Sequence, residues 1–412
     1  MRVGESNWAG NLTYGADAVT TPRTVAEVQE AVAGAAHVKA LGSRHCFNAI
    51  ADSPGGLLLD LRALDTRVEL GDGTVTVGGS ARYGDFAHQL HDAGFALPNL
   101  ASLPHITVAG SVATGTHGSG RRQPGLAAAV SGIELVTADG SLRTFTRADA
   151  EFPGLVVGLG AVGVVTRLTL DVVPAFDIRQ DVFDDLPWEA AYENFDEIED
   201  AGYSVSMFTN WANDRIDQVW VKSREVTERT GLFGAVPADG PRHPAHAAGV
   251  PAGNCTPQQG VPGPWHERLP HFALAFTPSV GDELQSEYFV PYRDAVAAIR
   301  AVRELGDLVA PLLLVSEIRA IAGDDLWLSP CHGGDRVALH FTWQPRQPEV
   351  EAVLPVLEER LAPFGARPHW GKLFHGIPGE YPRLAEFRAL AERLDPQGKF
   401  RNPFLNRNVF GA

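Results

Sequence analysis

The chain has 412 residues, 44% of them hydrophobic and 20% charged, which is the balance of a globular protein long enough for two or three domains. Its 34 Lys and Arg against 50 Asp and Glu leave a formal charge of −16, which argues against a grip on nucleic-acid phosphates or a polybasic membrane contact. Three cysteines (Cys46, Cys255, Cys331) without CxxC spacing argue against a disulfide framework or a zinc knuckle. The first residues lack the apolar core of a signal peptide, and no apolar run approaches membrane-spanning length, so a soluble, cytoplasmic protein is the expectation, with monomer or oligomer left open by the sequence.

In chain order, Thr24-Val-Ala-Glu27 reads as a capping box that opens a helix to about residue 35. Short strands are expected at 38–41 and 57–61. A hairpin is expected over 69–78 around Asp72-Gly73, then a helix over 84–93. A second hairpin turns at Asp139-Gly140 within 133–146, and 164–173 alternates as a strand. Beyond residue 175 the pattern changes. Residues 231–270 carry seven glycines and eight prolines and read as a long irregular excursion. Strands are expected at 218–222, 272–276, 284–290, 312–320 and 336–343, with helices at 292–305, 348–362 and 383–394. That order suggests an antiparallel sheet with helices on one face, hence an α+β architecture.

Four stretches could carry chemistry. Gly42 and Ser43, just after a strand, could offer backbone N–H groups to a pyrophosphate, or simply make a turn. The run 110–120 holds four glycines, four hydroxyl residues and His117, with no acid, so backbone can approach a ligand closely. No Walker lysine follows it. Gly158-Leu-Gly-Ala-Val-Gly163 matches GxGxxG, but the residues after it alternate as β, whereas a dinucleotide fingerprint needs a helix there. Finally, strand alternation puts Glu317 with Arg319, His340 with Thr342, and Gln285 with Glu287 on polar faces. Such a face could be solvated. Lysine usage points the other way: only Lys39, Lys222, Lys372 and Lys399 stand beside 30 arginines, and Lys372 sits between Trp370 and Phe374. The pairs His88/His91 and His243/His246 lack further ligands at metal spacing, and there is no GxSxG nucleophile motif.

Several blocks in order resemble the vanillyl-alcohol-oxidase superfamily of FAD proteins, and within it the alditol oxidases. They are Ser6-Asn-Trp-Ala-Gly-Asn11, Gly42-Ser-Arg-His-Cys-Phe-Asn48, Leu97-Pro-Asn-Leu-Ala-Ser-Leu-Pro-His105, the 110–120 loop, Gly260-Val-Pro-Gly-Pro-Trp-His266, Glu317-Ile-Arg319 and Arg367-Pro-His-Trp-Gly-Lys372. Cys46 stands where a serine is expected. The resemblance implies a two-domain fold: residues 1–175, completed by 376–412, bind FAD, and 176–375 form an antiparallel-sheet substrate domain over the flavin. It implies a covalent flavin on His45. Ser43, Arg44, Ser111, Thr114, His117 and Gly118 would hold the diphosphate and ribityl chain. Gly42, Cys46, Val112, Val164 and His369 would complete the cofactor's surround. Ser102 would touch flavin and substrate, and Ala101 would leave oxygen access to the ring. Gln285, Glu317, Arg319, His340, Thr342 and Lys372 would bind a polyol, with Arg319 and Lys372 stabilising a developing alkoxide. The implied reaction takes the terminal CH2OH of an alditol such as xylitol, sorbitol or glycerol to the aldehyde, with O2 reduced to hydrogen peroxide. The rivals are a sugar-1,4-lactone oxidase or dehydrogenase on the same fold, and a non-catalytic flavin- or polyol-binding protein.

Overall fold

The computed structural model describes residues 6–225, 229–276 and 282–411. It opens with a three-stranded parallel sheet in which Leu57–Asp60 lies between Ala18–Thr20 and Val38–Leu41. The helix Val25–Gly34 crosses over it and buries Val28 and Val32 against Val38 and Leu59. Its cap is half of the expected box. Thr24 Oγ1 accepts from Glu27 N at 3.2 Å, but the Glu27 carboxylate reaches Arg23 N, one residue before the cap.

Both expected hairpins form, with Gly73 (φ 70°) and Gly140 (φ 82°) in the left-handed region that their turns require. They flank Val164–Asp171 in a five-stranded antiparallel sheet. That strand leaves Gly163 directly, so the GxGxxG run opens no helix and is no dinucleotide fingerprint.

The larger sheet runs in the order Val236–Pro237, Asp177–Pro187, Arg215–Ser223, Ser204–Thr209, Leu313–Ala322, Arg336–Trp343, Leu284–Pro291, Arg367–Pro368. Period-two alternation gives it two unlike faces. Val337, Leu339, Phe341 and Trp343 share a core with Ile299 and Val302 of the helix Ala295–Arg303 and with Val350, Leu354 and Leu357 of the helix Gln347–Leu361. The opposite face carries the polar residues. Register sets Gln285 across from Thr342, Glu287 across from His340, and His340 across from Glu317. The acid-free loop ends as Gly120–Pro124, which pairs in parallel with Leu313–Ala322 and so ties the loop to this sheet. The helix Leu384–Leu394 and the tail return Phe387, Leu390, Leu405 and Val409 to the core around Leu135 and Leu168.

One expected strand is absent. Residues 272–276 make a single bridge, Phe272 to Cys255, and then turn. The backbone there is committed elsewhere: His271 N and Phe272 N both donate to Ser102 O, and Ala273 N donates to Asn254 O. With those N–H groups used, the apolar run cannot extend a ladder.

Candidate active site

A cavity of about 680 Å3 lies between the acid-free loops and the polar face of the larger sheet. Its lining is divided by charge. Residues 39–51, 101–117, Leu159 and Gly160 bring no acid to it, whereas Asp282, Glu283, Glu287 and Glu317 all come from the sheet side. One end therefore suits an anion and the other suits hydroxyl donors.

At the acid-free end the chain leaves the strand Val38–Leu41 through Gly42. A Cβ at Gly42 would lie 2.4 Å from Thr107 Oγ1 and 3.8 Å from Gly110 Cα, so any larger residue would have to turn that hydroxyl away. Trp8 N donates to Arg44 O at 2.8 Å and Asn7 Nδ2 to Cys46 O at 2.8 Å, which clamps the loop from the N-terminal motif. The Trp8 and His45 rings stack at 4.8 Å with 20° between planes. His45 Nδ1 sits 3.0 Å from Ser43 O, while its Nε2 is buried with no hydrogen-bond partner among the described residues. Burial pushes the His45 pKa down to about 4, so the ring is neutral at pH 7. Ser111 and Thr114 are braced by Val108 O (2.8 Å) and Gly110 O (3.1 Å). Ala101, Ser102, Cys46 and His369 also reach the cavity. The Cys46 thiol, pushed up to about 12 by burial, packs beside Gly371 and occupies the place of the expected serine without charge.

Three of the expected cofactor residues do not line the cavity. Val112 and Val164 point into the core, and Gly118 is packed against Asn99 and Leu100.

At the sheet end, Glu287 is the hub. Its side chain is fully buried. Lys372 Nζ lies 2.7 Å away, Arg319 NH2 2.9 Å, His117 Nε2 3.3 Å and His340 Nδ1 3.5 Å. Burial alone would raise its pKa, but Lys372, His117 and Arg319 together hold it well below the ordinary carboxylate range. Lys372 also donates to His340 Nδ1 at 2.7 Å. An ammonium cannot accept, so His340 carries its proton on Nε2 and donates to Thr342 Oγ1 at 3.1 Å. Two of the three Lys372 N–H bonds are thus used, and one remains for a ligand. Arg319 places NH1 3.4 Å from both Ser102 Oγ and Glu317 Oε2, and its Nε is buried without a partner among the described residues. Glu317 is also held low: burial opposes, but Arg319 and the His271 hydrogen bond prevail.

The comparisons with known proteins agree with this geometry. Residues 16–146 match a family described as an FAD binding domain, and residues 282–408 match one described as D-arabinono-1,4-lactone oxidase. The chain is 51% identical to an alditol oxidase of Streptomyces sp., over 98% of this chain and 99% of the other. The chain belongs to the alditol oxidase family. An L-gulono-1,4-lactone dehydrogenase of Mycobacterium tuberculosis stands at 28% identity, with 98% of both chains covered. A cholesterol oxidase of B. sterolicum superposes with a TM-score of 0.76 at 16% identity, over 98% of this chain and 96% of that one, which shows the shared fold.

Alditol oxidases of this family are FAD-dependent, and the cavity fits that cofactor. Acid-free loops with small residues suit a diphosphate, and the buried, unpartnered Nε2 belongs to His45 on that same wall. Composition had already flagged the lysines. Lys39, Lys222 and Lys399 are buried, with every Nζ on backbone carbonyls, and Lys372 is 12% exposed. Glu287 was legible on the alternating face beside Gln285, but not as the hub. His271 gave no sequence signal of a role at this site, Lys222 was marked only by the scarcity of lysine, and Trp8 only by its place in the Ser6–Asn11 block.

Proposed function

We propose that this alditol oxidase carries its FAD covalently on His45 and oxidises the terminal CH2OH of an open-chain alditol, with O2 as acceptor and hydrogen peroxide as product. The observation that carries this reading is the polar row Gln285, Glu317, Arg319, His340, Thr342 and Lys372, with Ser102 beside it, all on one cavity whose other end is free of acid. FAD, when bound, supplies the hydride acceptor and the route to oxygen.

The chain's own residues orient the substrate and stabilise charge. Gln285, Glu317 and Thr342 meet successive hydroxyls. The remaining N–H of Lys372 and the Arg319 guanidinium, both on the cavity wall, bring positive charge to the reacting oxygen and favour its deprotonated form. Glu287 keeps both cations charged and aimed. An apolar alcohol would leave this row unpaired at about 1–3 kcal/mol per group, so deoxy and simple alcohols are poor substrates. Glu317 repels a carboxylate, so aldonic acids are poor too. No helix among the described residues is long and apolar enough to cross a membrane. Peroxide release with a panel of alditols tests the proposal: xylitol and sorbitol should exceed glycerol, and no peroxide with any alditol refutes it.

A further inference from the structure

We propose that Lys222 and His271 are positioning residues for the substrate. Through a one-way chain of hydrogen bonds they fix Glu317 as an acceptor of polyol hydroxyls, and so favour the longer alditols. This rests on the function proposed above and names what holds its anionic group in place.

Lys222, on Arg215–Ser223, is 1% exposed and does not line the cavity. Its Nζ donates to Leu269 O and to Pro270 O (3.3 Å) and lies 3.1 Å from His271 Nδ1. Three acceptors surround a group that has three N–H bonds when protonated. The ammonium has no lone pair, so His271 Nδ1 must supply one, and the ring proton sits on Nε2. That nitrogen is 2.9 Å from Glu317 Oε1. Each link therefore has one allowed direction, from Lys222 to His271 to Glu317. Phe208 and Trp220 hold the His271 ring edge-to-face at 5.6 and 5.1 Å, so the ring has no room to turn and answer a change in its partners.

Glu317 Oε2 meets Arg319 NH1 at 3.4 Å. Both carboxylate oxygens are thus held from the protein side, and their remaining lone pairs are available to the cavity. The same segment reaches the flavin side. His271 N and Phe272 N donate to Ser102 O at 3.0 and 3.1 Å, and Thr256 Oγ1 donates to Pro270 O at 2.7 Å. Residues 269–272 therefore set the spacing between Ser102 and Glu317. A Glu317 released from His271 would turn toward Arg319 and shorten the acceptor row. The loss falls on substrates that use the whole row.

The test uses the full-length holoprotein. Burial lowers the Lys222 amine to about 7, so assays run at about pH 6, where the ammonium persists. Lys222→Met should lower kcat/KM for xylitol about 10- to 100-fold, chiefly through KM, while glycerol changes less than about threefold. In a Glu317→Gln background the same substitution should cost xylitol less than about threefold, because both act through one carboxylate. Additive losses, or equal losses on both alditols, overturn the proposal. His271→Gln offers Glu317 an amide N–H with no tautomer to set, so it should keep the xylitol preference that His271→Leu loses; equal loss in both overturns it. 15N-histidine NMR reads the tautomer without turnover: a proton on Nε2 of His271 is expected, and one on Nδ1 overturns the proposal. A protein that oxidises no alditol refutes the proposed function instead and leaves the tautomer result standing by itself.

Discussion

Replacing Glu287 by Gln removes the anion shared by Lys372 and Arg319 while keeping nearly the same volume. The two cations lie 2.7 and 2.9 Å from its oxygens, and its side chain has no exposure. At an effective dielectric near 20, one charge pair at such a distance attracts by about 6 kcal/mol, most of which offsets desolvation. Breaking a buried pair by removing one partner typically leaves a net cost of about 3–5 kcal/mol. The effect on Lys372 has a definite sign. Burial lowers its pKa and Glu287 raises it, so the variant's Lys372 loses its proton at lower pH. Anaerobic stopped-flow with xylitol should show flavin reduction slowed about 100- to 1000-fold at neutral pH, the loss of one transition-state donor. The alkaline limb of the rate should also move toward lower pH. A rate within a few fold of the parent, with that limb unmoved, would refute the claim that Glu287 keeps the cations charged.

His45→Ala should release its flavin on acid precipitation, where the parent keeps its yellow colour in the pellet; colour lost from both would refute the covalent link. Ala101 is small and lines the cavity, so Ala101→Val should slow reoxidation by air more than reduction by substrate, measured in separate half-reactions. Glu317→Ala should lower kcat/KM more for xylitol than for glycerol, since the longer chain uses more of the row. Lys39, with its Nζ on Leu159 O, Gly160 O and Phe400 O, is lowered to about 7 by burial. The unfolded chain therefore binds more protons above that pH, and stability rises with pH up to about 10.4, by at most about 1.4 kcal/mol per unit. Lys39→Met should remove that contribution, read as a flatter dependence of the urea midpoint on pH.

Alternation and turn chemistry made much of this molecule legible. Asp72-Gly73 and Asp139-Gly140 sit at the hairpin turns, and the polar faces of 284–290, 312–320 and 336–343 meet on one wall because their registers place Gln285, His340 and Glu317 side by side. The longest strand, Asp177–Pro187, went unread because its acidic residues have poor strand propensity and its pairing with Arg215–Ser223 supplies what local sequence lacks. The stretch 272–276 failed in the opposite sense: its apolar residues suggested a strand, but its N–H groups hold the Ser102 loop. Site residues on alternating strands were found; those behind them were not. Lys222 lies on a strand whose side chains are almost all buried, and His271 lies in an irregular loop, so no period marks either. Scarcity of lysine was the one compositional clue, and it pointed to buried amines in general rather than to this one.

Anaerobic bleaching of the bound flavin against a matched panel of alditols and sugar γ-lactones tests the central claim most directly, because it isolates substrate oxidation from the choice of acceptor. The cavity's row of separate hydroxyl partners predicts rapid bleaching by xylitol and sorbitol, slower bleaching by glycerol, and little by any lactone. A γ-lactone that bleaches the flavin faster than every alditol would contradict the account and assign the site to lactone oxidation.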